Sequence, residues 1–152
     1  NWKQIVIEAK DHLYGVNFTG ENFSTGWAVG TYGRILKSSD GGETWATQKA
    51  ETTEHLLKIS AFDAERAVIV GLNGTLLTTE NGGESWKSGN PCGKFLITSA
   101  TFLSPEKLIA VGYGGCVVRS TDGGRNWERI NVFSRADFLA LCFADEKNGS
   151  MT

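Results

Sequence analysis

The sequence predicts an all-β fold. It reads as a β-propeller of ~41-residue four-stranded antiparallel blades, about three and a half of them in 152 residues. Three observations carry this. Glycines and tryptophans recur in columns with a single spacing. The apolar runs inside each repeat are short and often β-branched. Gly, Asn and Asp bound those runs.

Three segments align without gaps: Trp27–Gln48, Val68–Gly89 and Ile109–Ile130. Gly30, Gly71 and Gly112 stand 41 residues apart, as do Gly33, Gly74 and Gly115. Gly42, Gly83 and Gly124 keep the same spacing, and so do Trp45, Trp86 and Trp127. Asn1–Ile5 matches Asn126–Ile130, so residues 1–10 are expected to be the last strand of a preceding blade. Blades are then expected at 11–50, 51–91 and 92–133. Phe138–Thr152 falls one period after Ile97–Val111, which makes 134–152 the start of a further blade. A period near 41 also suits helical arrays. Runs such as Ala67–Gly71, Leu76–Thr79 and Val117–Ser120 fall short of the 10–12 residues a helix needs.

Each repeat divides into four strands. The first is expected at Leu13–Phe18, Leu56–Phe62, Phe95–Phe102 and Phe138–Phe143. The second ends at the first Gly of a GxxG spacer. That spacer is expected to be a tight hairpin in which Gly supplies positive φ without steric cost. The third strand runs into a DGG or NGG turn, and the fourth starts at the Trp. The turn is Ser38-x-Asp40-x-Gly42-x-Thr44-Trp45, then Thr79-x-Asn81-x-Gly83-x-Ser85-Trp86, then Ser120-x-Asp122-x-Gly124-x-Asn126-Trp127. The Asx side chain is expected to accept backbone N–H bonds within its own turn, and the hydroxyl before it to tie the turn's two sides. The indole is expected to drop between neighbouring sheets, where full burial contributes roughly 5 kcal/mol.

These residues resemble the box of Asp-box (BNR) repeat β-propellers. The fuller pattern, with Val29-Gly30, Val70-Gly71 and Val111-Gly112 before it, looks most like the photosystem II stability/assembly factor family and its bacterial relatives. Asn81 departs from Asp but keeps the acceptor. Asn126 departs from Thr and is expected to weaken one side-chain contact. The resemblance implies seven blades, or about 290 residues. This chain is therefore expected to be a fragment, or to need a second copy to complete a ring and cover its open edges. It also implies a non-enzymatic scaffold for a protein client, in a lumen, the periplasm or outside the cell. The alternative is a secreted glycan-binding or sialidase-like hydrolase module.

Composition narrows the chemistry. Lys and Arg total 15 and Asp and Glu 17, a formal net charge of −2, which argues against nucleic acid. No apolar run approaches the ~20 residues of a membrane-spanning helix, and none near the start reads as a signal peptide. The only Met is Met151, so the chain is expected to have been processed or cut from something longer. Cys92, Cys116 and Cys142 contain no CxxC pattern. They read as small buried residues, or as one disulfide plus a free thiol. The box acids supply too few ligands for calcium, and no metal or cofactor is expected. Arg34, Arg66, Arg119, Arg125, Arg129 and Arg135 do not converge as a sialidase carboxylate site requires. No catalytic residues are assigned. In a propeller, the fourth-to-first and second-to-third loops share one face. The binding-face candidates there are Asp11, His12, Glu54, His55, Lys94 and Arg135, with Tyr32, Asn73 and Tyr113 from the hairpins.

Overall fold

The computed structural model describes residues 12–145 and 148–152. The expected opening strand at 1–10 and the candidate Asp11 lie outside the described residues.

Three four-stranded antiparallel meanders follow one another. The first holds β1 (Leu13–Thr19), β2 (Thr25–Gly30), β3 (Ile35–Ser38) and β4 (Ala46–Gln48). The second holds β5 (Leu56–Ala61), β6 (Ala67–Gly71), β7 (Leu76–Thr79) and β8 (Lys87–Gly89). The third holds β9 (Ile97–Phe102), β10 (Leu108–Gly112), β11 (Cys116–Ser120) and β12 (Glu128–Arg129). A two-stranded sheet follows, β13 (Leu141–Phe143) with β14 (Gly149–Met151). The first strands of neighbouring meanders lie against each other, β1 on β5 and β5 on β9. This is the blade arrangement of a β-propeller.

Strand starts differ from expectation. Phe95 and Leu96 lie in the loop before β9, because the Leu96 carbonyl is taken by the Tyr113 N–H at 2.9 Å. Phe138–Ala140 likewise precede β13, and each fourth strand begins one residue after its tryptophan.

The GxxG spacers correct the reading of their first glycine. Gly30 and Gly71 are extended, at φ −164° and −166°. They are glycine because a Cβ would overlap the carbonyl oxygens of His12 and His55. Only the second glycine needs positive φ: Gly33 at 70°, Gly74 at 71° and Gly115 at 68°.

Two cores lie between the sheets. Trp27, Val29 and Ile35 meet Leu56, Ile59, Ala67, Ile69 and Leu77 at the first boundary. Val68, Val70 and Leu76 meet Ile97, Ala110, Cys116 and Val118 at the second. Among the described residues the fully buried indole is Trp27, not a box tryptophan. Trp45, Trp86 and Trp127 are only half-buried, so the full-burial figure overstates each of them. Trp86 packs edge-on against Trp27 with centroids 5.7 Å apart, and Trp127 lies against the second core.

Cys92 and Cys116 are joined as a disulfide with Cα atoms 5.9 Å apart, and Cys142 is a free, exposed thiol. Three separate buried cysteines is therefore the wrong alternative. The 24-residue spacing hid the pair, since only the register of two successive blades brings the sulfurs together.

Candidate functional site

The box turns and the GxxG hairpins sit at opposite ends of each sheet. Each box docks on the first-to-second turn of its own sheet. The amides of Gly41, Gly82 and Gly123 donate at 2.8 Å to the carbonyls of Ser24, Glu65 and Glu106. Inside the first box, Ser38 Oγ receives the Gly42 amide and donates to Asp40. Asp40 accepts from Thr44 N at 2.9 Å and Thr44 Oγ1 at 2.6 Å. In the second box, Thr79 Oγ1 receives the Gly83 amide and Asn81 Oδ1 the Ser85 amide. The Asn81 amide adds a bond to Ser85 Oγ. In the third, Ser120 receives the Gly124 amide and Asp122 the Asn126 amide. Asn126 Nδ2 also reaches Asp122 at 2.7 Å. The contact expected to weaken at Asn126 is therefore kept, because an amide N–H replaces the threonine hydroxyl as donor.

These bonds stabilise the ionised acids. The Thr44 hydroxyl, then the Thr44 amide and the Ser38 hydroxyl, pull Asp40 down to about 2. Asp122 is pulled down to about 2 by the Asn126 backbone and side-chain amides and Ser120. The oxygens a cation would need are already engaged inside the turn. Among the described residues no three His, Cys, Asp or Glu side chains gather as a metal set.

At the other end, each hairpin grips two loops. Thr31 N and Leu72 N donate to the His12 and His55 carbonyls, within their own sheets. Gly33 N and Gly115 N donate at 2.8 Å to Glu54 and Ala136, in the loop leading to the next sheet. The middle residue of each spacer is left-handed: Tyr32 at φ 54°, Asn73 at 52° and Gly114 at 65°. Asn and Gly tolerate this region well, whereas tyrosine there is unusual. Tyr32 is 70% exposed, and its ring lies 5.3 Å from that of His55. His55 also stacks on Tyr14 at 6.2 Å, and Asn73 Nδ2 donates to Glu54 Oε2 at 2.8 Å.

The eight candidates among the described residues do not gather at one place. Tyr32, Glu54, His55 and Asn73 gather at the first boundary, where His12 contributes its carbonyl. Arg135 lies in a separate crevice with Phe95, Arg129, Ile130, Val132 and Phe133. Lys94 is exposed in the loop before β9. Tyr113 is half-exposed and occupies the column of Thr31 and Leu72 rather than the hairpin tip.

Sequence reasoning missed three aromatics. Tyr14 escaped because it sits in the irregularity of β1 between Leu13 and Gly15, which turns it outward. Phe95 was absorbed into a strand. Phe133 is 95% exposed and at φ 50°, and its position one period after Cys92 gives no hint of either.

The crevices beside the hairpins follow the repeat. The first, lined by Tyr32, Gly33, Gln48, Ala50 and Thr52, holds about 320 Å³. The one beside the third hairpin holds about 900 Å³ and reuses the same columns at Gly115, Ile130, Val132 and Ser134. Its neighbour is the two-stranded sheet, which among the described residues places no third strand against it.

Meanders with hydroxyl–Asx–Gly turns closing each third and fourth strand define an Asp-box β-propeller protein. The model of the BNR/Asp-box repeat matches residues 118–129. The model described as Photosynthesis system II assembly factor YCF48 matches residues 1–92, and the chain belongs to that family. It is 38% identical over 53 residues to the photosystem II stability/assembly factor HCF136, chloroplastic, of Cyanidioschyzon merolae, covering 35% of this chain and 12% of that protein. It is 37% identical over 67 residues to the photosystem II assembly protein Ycf48 of Synechococcus sp. (strain JA-3-3Ab), covering 42% of this chain and 20% of that protein. Among solved structures, YCF48 from Cyanidioschyzon merolae matches with a TM-score of 0.74 at 22% identity, over 93% of this chain and 50% of that one. YCF48 bound to D1 peptide matches with a TM-score of 0.70 at 23% identity, over 82% and 42%. An ancestral GH74 enzyme matches with a TM-score of 0.69 at 18% identity, over 88% and 21%. At these identities the structural matches show the fold. The chain thus spans about half, or less, of the length of these proteins.

Proposed function

We propose that this chain is part of a non-enzymatic assembly factor whose hairpin face holds an extended segment of a protein client. The observation that carries this is Tyr32. It is a bulky ring in the left-handed region at an exposed tip, set against His55, whose ring in turn stacks on Tyr14. Strain of this kind costs about 1 kcal/mol or more and points to a role outside packing. Exposed tyrosines on a rigid frame offer large contact area with little ordering cost. The solved relative described as YCF48 bound to D1 peptide supports a peptide as the ligand class. The chloroplastic relative supports a lumenal or periplasm-like setting.

Further blades complete the ring in this reading. Leu13 is 38% and Val16 63% exposed, while their repeat equivalents Leu56, Ile59, Ile97 and Ala100 are buried by the preceding sheet. A blade from the rest of the polypeptide, or from a second copy, covers this face. Light scattering of the isolated chain distinguishes self-pairing from a missing remainder.

The test is anisotropy with a labelled D1 peptide. Tyr32→Ala and His55→Ala are expected to weaken binding roughly tenfold each without lowering the melting temperature. Unchanged binding by both variants would overturn the assignment of this face.

A further inference from the structure

We propose that the Cys92–Cys116 disulfide is a staple that draws one of three equivalent loops inward. The loop after each fourth strand passes a fixed repeat column, occupied by Glu51, Cys92 and Phe133. Glu51 is exposed and Phe133 is 95% exposed, but Cys92 is 3% exposed and lies inside the second core. Cys116, fully buried at the start of β11, is its anchor in the next sheet. Their Cα separation of 5.9 Å falls within the range a disulfide spans.

The consequence is local. Beside the first and third hairpins this loop leaves crevices of about 320 and 900 Å³. Beside the second, the loop folds into two consecutive tight turns. Gly93 N donates to Asn90 O, and Phe95 N to Cys92 O, each at 3.4 Å. The Asn90 side chain then reaches the Asn73 carbonyl of the hairpin at 3.5 Å. The pinned loop carries Lys94 directly after Gly93, and it meets the hairpin whose Asn73 binds Glu54. One covalent bond thus sets the geometry of the middle of the hairpin face.

Formation is an ordinary exchange. The thiols of Cys92 and Cys116 lose two electrons and two protons, and a disulfide-bearing oxidoreductase accepts both and becomes a dithiol. Such bonds form and persist in oxidising compartments. The free, exposed Cys142 stays outside the exchange as an internal reference.

The test counts thiols and then follows amide exchange. Protein exported to an oxidising compartment is denatured with a maleimide, with and without prior dithiothreitol. The expected count is one adduct without reductant, at Cys142, and three with it. Three adducts without reductant would overturn the proposal. In native protein, reduction is expected to speed exchange at 90–95 roughly tenfold while the equivalent loop at 49–54 is unchanged. Exchange that rises evenly over all three sheets, or not at all at 90–95, would overturn the local role. The Cys92→Ala/Cys116→Val pair, untreated, should reproduce the reduced pattern and no other.

Discussion

The boundary between the first and second sheets and the boundary between the second and third use the same backbone with different chemistry. At the first, Trp27 fills the interface, Trp86 packs on its edge, and Lys37 Nζ lies 4.6 Å above its ring. Lys37 also crosses to the next sheet, donating to Ala64 O at 3.0 Å and Gly82 O at 2.8 Å. At the second, the Trp27 column holds Val68 and the Lys37 column Thr78, whose hydroxyl makes only a 3.4 Å bond to Gly124 O. A disulfide and a bidentate Arg125–Glu80 pair stand there instead. Glycines and box residues set the blade, and the remaining columns are free to join blades by packing or by a covalent tie.

The largest effect should come from the ring. Trp27→Ala leaves a cavity at a fully buried site and is expected to cost ~3–5 kcal/mol in urea unfolding. Trp86→Ala, half-buried, should cost less. Equal midpoints for Trp27→Ala and wild type would break the view that packing holds the first boundary. Next comes the tie. Removing the disulfide with Cys92→Ala/Cys116→Val is expected to cost about 3 kcal/mol for a loop of this size. No loss would mean that the second boundary stands on its core alone.

The polar latches rank below both. Burial lowers the Lys37 pKa, with Glu65 and Glu84 acting in opposition, and its ammonium bonds two carbonyls. Lys37→Met is expected to cost about 1–2 kcal/mol. Arg125→Ala should cost under about 1 kcal/mol and lose that effect at high salt, since both partners are substantially exposed. A larger loss at Arg125 than at Lys37 would reverse the order of the two latches.

The frame was legible because it is written in glycines. Both glycines of each GxxG spacer mark a place where a Cβ would strike a neighbouring carbonyl, and they repeat wherever the backbone repeats. The box was legible because its bonds are local, spanning two to four residues. What joins the blades was not. Trp27 looks like any strand residue until the Trp86 ring arrives from the next repeat. Cys92 and Cys116 look unrelated until two blades are laid side by side. The candidate face was partly legible, since loop position placed Tyr32, Glu54, His55 and Asn73 together. Tyr14 needed the irregularity in β1, which no pattern of alternation announces. Arg135 lies apart from them in its own crevice, because a face shared by several loops is wider than one cluster.

The smallest effect separates the outer boxes from the middle one. Asp40 and Asp122 have folded-state pKa values of about 2, against about 3.9 in an unfolded chain. A depressed carboxylate contributes stability that is fully present above about 4 and is lost as pH falls through about 2. Asn81 occupies the same place in the second sheet and carries no proton to gain. Acid should therefore loosen the first and third boxes before the second. Asp63 shifts the same way: burial raises its pKa, but the bonds from Arg66 and the neighbouring amides outweigh this and leave it lowered. It adds a background slope common to every box variant. The check is urea unfolding at pH 5 and pH 2.5. Asp40→Asn/Asp122→Asn should flatten the pH dependence, because an amide keeps the acceptor without titrating. Asn81→Asp should steepen it. Both boxes are exposed, so each change is small, and the informative quantity is its sign. A double variant as acid-sensitive as wild type would show that the turn bonds do not favour the ionised acids, and that the aspartates matter only as acceptors.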